Sequence, residues 1–223
     1  HLNDAVMKIT NFEALIDERT MKKKTMIVLM SAFLLLSAFS CGGGNKANST
    51  SEQSEETAVN VPQFDADSAY LYVKNQVDFG PRVPNTKEHV ACGNYLAGQL
   101  EAFGAQVTNQ YADLIAYDGT LLKARNIIGS YKPESKKRIA LFAHWDTRPW
   151  ADNDPDEKNH NTPILGANDG ASGVGALLEI ARLVNQQQPE LGIDIILLDA
   201  EDYGAPQFYT GQHKEEFWCL GSQ

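Results

Sequence analysis

At 223 residues, with 43% hydrophobic and 22% charged side chains, the chain has the balance of a globular protein and room for one large domain or two small ones. Its 19 Lys and Arg against 29 Asp and Glu leave a net charge of −10, which repels phosphate backbones and excludes nucleic acid as a partner. The cysteines Cys41, Cys92 and Cys219 match no zinc-knuckle or Cys-x-x-Cys spacing and cannot pair without a remainder, which argues against a disulfide framework and thiol redox chemistry.

Residues 1–20 begin with His1 and precede a start at Met21, so they read as upstream, disordered sequence outside the mature protein. Met21 is followed by Lys22, Lys23 and Lys24, and Ile27 to Phe39 is an almost unbroken apolar run. It is too short for a typical transmembrane helix and right for the hydrophobic region of a signal peptide. Residues 21–40 are therefore expected to be a lipoprotein signal. Leu36, Ser37, Ala38, Phe39 and Ser40 resemble a loose lipobox, after which the Cys41 thiol is lipidated and becomes the new N-terminus. The alternative is an ordinary secretory signal followed by a free thiol. Residues 41–60, rich in Gly, Ser, Thr, Asn and Glu, have the composition of a flexible tether. No acidic cluster follows Cys41, so the expected location is the bacterial cell envelope, with the protein lipid-anchored to a membrane and facing the periplasm.

Residues 61–223 form the domain. Asp65 to Val77 carries Tyr70, Val73 and Val77 on one face, and Asn85 to Phe103 carries Cys92, Leu96, Leu100 and Phe103, both at helical spacing. That places Cys92 in the core. Gly104 stops the second helix. Val107 to Tyr111, Leu114 to Tyr117 and Leu121 to Tyr131 read as strands, with Asp118-Gly119 as a hairpin turn. Arg138 to His144 is apolar on both faces, as a central strand should be. A long polar loop leads to a helix from about Ser172 to Gln187, with Val174, Leu177, Leu178, Ala181 and Val184 on one side, and then to a second apolar strand, Ile193 to Asp199. The alternation predicts an α/β domain with a buried, mostly parallel sheet.

In such a sheet the ligand crevice lies beyond the carboxyl ends of the strands. One strand ends in His144-Trp145-Asp146 and the other in Asp199-Ala200-Glu201-Asp202, while Asp169 sits between them just ahead of a helix. Imidazole and carboxylates converge with no basic residue interspersed, and a bound cation is the economical explanation; this donor mix suits zinc. Singly, each residue has a plainer use. Asp169 and Asp202 could be capping or turn carboxylates, His144 a hydrogen-bonded core histidine, and Asp146 its partner. Asp152, Asp154 and Asp156 alternate as in a calcium loop, but Glu157 and Pro163 stand where its glycine and bidentate Glu belong, which excludes an EF-hand.

Ala143-His144-Trp145-Asp146, the run from Gly166 to Gly173, and Asp199-Ala200-Glu201-Asp202 resemble, in order and spacing, the motifs of the zinc-dependent M28 peptidase superfamily. Arg148 to Pro155 and Asp202-Tyr203-Gly204 narrow the resemblance to the glutaminyl cyclases (glutaminyl-peptide cyclotransferases) of Bacteroidetes, zinc-dependent acyltransferases that form pyroglutamate. The resemblance implies a three-layer zinc-exopeptidase fold, its central mixed, mostly parallel sheet flanked by helices. It also implies one zinc ion, held by Asp169 and Asp202, with Glu201 as general acid/base and peptides with an N-terminal glutamine as substrates. His144 matches the ligand of a second zinc in two-metal aminopeptidases, a site the single-zinc cyclases leave unfilled, and Asp146 matches the group orienting that imidazole. Gly170, where many of the peptidases have Asn or Asp, leans toward the cyclases.

The family's remaining zinc ligand is a His near the C-terminal end of the domain, with a further carboxylate before it. His213, the only histidine after the Glu-Asp pair, sits in the polar loop Thr210 to Glu216 and reads as a loop residue. The chain is therefore expected to be truncated at its C-terminus, with an incomplete fold and no activity of its own. Trp145, Trp150, Tyr203, Phe208 and Trp218 are candidate walls of the substrate pocket, though aromatics near strand ends commonly serve packing. A two-zinc aminopeptidase and a non-catalytic lipoprotein with a vestigial site are the rival readings.

Overall fold

In the computed structural model, residues 60–223 are described. The expected signal peptide, Cys41 and the tether up to residue 59 lie outside the described residues.

Helix α1, Ala66–Val77, starts where Asp65 accepts hydrogen bonds from the amides of Asp67 and Ser68 at 3.0 and 3.1 Å. The expected inward face is corrected here: Tyr70 is 72% exposed, while Tyr72, Val73 and Gln76 turn inward. The reason is that α1 packs against a helix rather than a sheet. It crosses so close to Gly175 that a Cβ there would stand 2.6 Å from Val73 Cγ2 and 2.9 Å from Ala69 O. Helix α2, Lys87–Ala102, begins after Thr86, whose hydroxyl accepts the His89 amide at 3.2 Å. Asn85 is outside it, with φ 75. Its side-chain amide bonds the main chain of Leu121 and Lys123. Cys92, Leu96 and Leu100 are fully buried, as the spacing predicts.

The two short strands expected before the hairpin are one strand, β1 (Gln106–Ile115), paired along its length with β2 (Leu121–Tyr131). Polar Asp113 does not interrupt it, because it lies opposite Lys123 and bonds its ammonium at 2.7 Å. Asp118-Gly119 makes the turn, with Gly119 at φ 85. Strand β3 (Arg138–His144), helix α3 (Ala171–Gln186) and strand β4 (Gly192–Leu198) complete the unit.

The sheet order is β1-β2-β4-β3. The sheet is open and mixed and is flanked by helices. Among the described strands parallel pairing is confined to β3–β4, since β1–β2 and β2–β4 are antiparallel. Among the described elements only the β3–α3–β4 connection is a helical crossover, the link that parallel neighbours require. Among the described strands β3 is an edge rather than central, and Phe142 on it is 59% exposed. Strand β4 is not wholly apolar: on the face opposite the helices Asp194 takes the Arg138 guanidinium at 2.6 and 2.7 Å.

One core joins Leu96 and Leu100 of α2 and Val174, Leu177 and Leu178 of α3 to Ile127, Ile193, Ile195 and Leu197 of the sheet. A smaller core on the other face, Leu122, Ala124 and Ala200, is covered by Leu220. Because β3 and β4 run in the same direction, His144 and Leu198 end side by side.

Candidate active site

The two strand ends are fastened to each other by a buried carboxylate. Trp145 N donates to Leu198 O at 3.0 Å, carrying the pairing one residue beyond β3. Ala200, at φ 52, then turns the second chain sharply. Asp146, with no exposed surface, receives the amides of Glu201 and Asp202, one on each oxygen, both at 3.1 Å. A second buried pair supports the same turn. Asp199 accepts the Arg125 amide at 2.6 Å and bonds His89 Nε2 at 2.8 and 3.0 Å, and the His89 ring stacks on Trp145 with centroids 4.3 Å apart. Burial pushes the Asp199 pKa up, with the His89 bond opposing it.

The His144 imidazole lies between the two carboxylates singled out for metal binding and acid/base chemistry. Its Nε2 is 2.9 Å from Asp169 Oδ1, and its Nδ1 is 3.7 Å from Glu201 Oε2 and 3.5 Å from Asp146 Oδ1, ion-pair distances too long for a good hydrogen bond. Burial works against the charged imidazole, yet Asp146, Glu201 and Asp169 together outweigh it and lift its pKa to about 9. Glu201 Oε1 also receives a long 3.4 Å contact from the Cys219 thiol.

Asp169 and Asp202 open onto one cavity of about 280 Å³, shared with Arg148, His213 and Trp218. Asp202 is buried, and burial pushes its pKa up to about 7 although Arg148 opposes the shift. Its Oδ2 is buried with no partner, while Oδ1 stands 3.5 Å from Arg148 Nη1. The expectation that no basic residue is interspersed is thereby corrected. Arg148 is held by both oxygens of buried Asp152, at 2.6 and 2.7 Å, and lies 4.7 Å over the Trp218 ring. The Arg148/Asp152 spacing of four residues was the available signal, but a calcium-loop pattern in the same segment obscured it.

Carboxylates, one with an orphaned buried oxygen, and an adjacent imidazole suit zinc in donor chemistry. They form a partial set, because no three His, Cys, Asp or Glu side chains among the described residues are gathered to hold a metal ion. His213 faces the same cavity but is exposed, and its Nε2 is engaged with Tyr209 O at 3.1 Å, as a loop histidine.

The aromatic candidates separate. Trp145 is fully buried in the main core, its indole N–H donates to Arg125 O at 3.2 Å, and it backs a separate cavity with His89 and Arg125 rather than the Asp169–Asp202 one. Trp150 meets Tyr203 edge-on at 5.2 Å, within a group that includes Tyr117. Phe208 is 45% exposed against His160. Trp218 alone of the five lines the Asp169–Asp202 cavity.

Residues 126–223, which contain His144, Asp146, Asp169, Glu201 and Asp202, match peptidase family M28. Glutaminyl cyclase from Bacteroides thetaiotaomicron, solved with N-acetylhistamine bound, is 94% identical with a TM-score of 0.73, over 73% of this chain and 56% of that one. A leucine aminopeptidase precursor from the same organism gives the same identity, TM-score and coverage. A Zn-dependent exopeptidase from Parabacteroides distasonis is 63% identical with a TM-score of 0.72, over 73% of this chain and 56% of that one. The chain thus spans little more than half the length of these three proteins.

Proposed function

We propose that the whole protein is a glutaminyl-peptide cyclotransferase, converting the N-terminal glutamine of peptides and proteins to pyroglutamate with release of ammonia. The observation that carries the reading is the placement of Glu201 beside a cavity lined by the Asp169 and Asp202 carboxylates, in a chain 94% identical to a glutaminyl cyclase.

Asp169 and Asp202 would hold one zinc ion, completed by a ligand outside the described residues. When bound there, zinc supplies a Lewis acid for the γ-amide of the substrate. Glu201 carries the proton traffic. Its carboxylate takes a proton from the substrate α-amine as that nitrogen bonds the side-chain amide carbon, and returns it to the departing amide nitrogen, which leaves as ammonia. Such a positioned acid/base group contributes about 10² to 10⁴ in rate. Asp146 serves by fixing the main chain of Glu201, so the carboxylate is presented from a rigid turn. Trp218, held by Arg148, forms an apolar side of the cavity for the substrate stem.

A leucine aminopeptidase is the second reading, favoured by the name of one 94% identical neighbour and by the 2.9 Å contact of His144 with Asp169, which would let both contact a second metal. Mass spectrometry of a Gln-initiated and a Leu-initiated peptide separates the two. Loss of one ammonia from the first, with the second intact, is expected; release of the terminal Leu overturns the cyclase reading.

The proposal includes lipid anchoring at Cys41 and a periplasm-facing location, supported by the basic and apolar segment before that cysteine. Fatty-acid labelling that disappears in Cys41→Ala is expected, and labelling that survives the substitution overturns it.

A further inference from the structure

Arg82 belongs to none of the motifs above. It lies between α1 and α2, and its side chain is fully buried. Buried charges are normally paired, yet among the described residues Arg82 makes no ion pair with a carboxylate. Its donors go to main-chain carbonyls instead: Nε to Trp145 O at 3.4 Å, Nη1 to Gly80 O at 3.4 Å and to Leu165 O, and Nη2 to Gly166 O at 2.9 Å. Its own carbonyl accepts from Thr147 N at 3.2 Å. Trp145 and Thr147 flank Asp146, while Leu165 and Gly166 open the loop that carries Asp169.

That loop is wound around the guanidinium. Gly166 and Gly170 have φ +56 and +98, and a Cβ on either would come within 3.1 and 3.5 Å of Arg82 Nη2. The same Cβ atoms would strike main chain, 2.6 Å from Asp169 O at Gly166 and 2.6 Å from Asp146 O at Gly170. For stability alone an apolar filling would serve, since replacing a buried charge by packed hydrocarbon is often neutral or favourable. What a guanidinium adds is a planar fork of five donors in fixed directions, able to hold carbonyls from separate segments at once.

We propose that Arg82 is a positioning residue for metal binding: its fork fixes the carbonyls of Leu165 and Gly166 against the end of β3 and so sets where Asp169 stands relative to Asp202 and His144. This rests on the reading of Asp169 and Asp202 as zinc ligands, and not on which reaction follows.

Lysine keeps the charge but offers one tetrahedral ammonium, which cannot span the same carbonyls. In the full-length zinc protein, Arg82→Lys is therefore expected to weaken zinc about 10- to 100-fold in competition with a chelator, the usual scale for groups that orient metal ligands. Arg82→Ala is expected to regain zinc affinity with millimolar guanidinium, but not with methylammonium or urea. In the metal-free chain, amide exchange at residues 165–171 should accelerate at least about tenfold in Arg82→Lys, while the interiors of α3 and β4 keep wild-type protection. Zinc affinity and loop exchange within about twofold of wild type would overturn the proposal, as would losses that track global destabilisation and are not rescued by guanidinium. Asp169→Ala, measured in parallel, tests the reading beneath: undiminished zinc binding in that variant removes the ligand assignment, and this inference with it.

Discussion

Asp146 and Glu201 meet through the main chain: Asp146 Oδ1 accepts the Glu201 amide at 3.1 Å, and the other oxygen accepts Asp202 N. The carboxylate expected to orient His144 thus serves chiefly as the acceptor for the turn that carries Glu201 and Asp202. An amide cannot do this on both sides. In Asp146→Asn one N–H must face an NH₂, leaving a buried donor unsatisfied at a cost on the order of 1–3 kcal/mol. We expect Asp146→Asn to lower the thermal midpoint and to reduce kcat more than it raises KM. Unchanged kcat in a folded variant would show that the turn does not need the clamp.

Glu201→Gln in the full-length protein keeps size and an acceptor but cannot take up the proton. Zinc content should stay at the wild-type level while turnover on a Gln-initiated peptide falls at least about a hundredfold. Zinc lost together with activity would make Glu201 a ligand instead of the acid/base group.

Period and punctuation made most of the elements legible. Cys92, Leu96 and Leu100, and the run from Val174 to Val184, sit where a period near 3.6 puts them, because each helix lays a broad apolar stripe on the sheet. Tyr70 was misplaced because α1 buries only a narrow line against Gly175, a contact that periodicity does not encode. The strand break at Ala112-Asp113 was a false stop, since a cross-strand lysine neutralises Asp113, and a single strand's sequence does not reveal its partner. At the site, strand-end placement brought out His144, Asp146, Asp169, Glu201 and Asp202. Arg82, His89 and the pairing of His89 with Asp199 escaped because the partners are main-chain carbonyls or residues far away in the chain, and neither leaves a local pattern.

The pH dependence of stability has a defined contributor far from the site. Glu179 is fully buried, bonded to the Arg182 guanidinium at 2.6 and 2.7 Å and to the Asp65 amide at 2.9 Å. The Arg182 bonds hold its pKa below the ordinary 4.5, with burial opposing. A carboxyl whose folded-state pKa is depressed contributes stability that is complete above its unfolded pKa and is lost as the pH falls through the folded one. Glu179→Gln should therefore be less stable than wild type at neutral pH, and the gap in thermal midpoint should narrow as the pH drops below about 4.5. A gap that stays constant between about pH 3 and 7 would mean the charge of Glu179 contributes nothing.

His144 decides how many metal ions the site is built for. In the single-zinc reading its imidazole touches Asp169 at 2.9 Å but binds no metal. Removing it should then leave zinc bound and disturb only the arrangement of Asp169, Asp146 and Glu201 around the space the ring filled. In the two-zinc reading the neutral ring is a ligand, and its loss strips one ion. Metal analysis of the full-length protein and of His144→Ala separates the cases. About one zinc in each, with a moderate fall in turnover, is the expected result; two zincs falling to one would assign His144 to a second metal and favour the aminopeptidase.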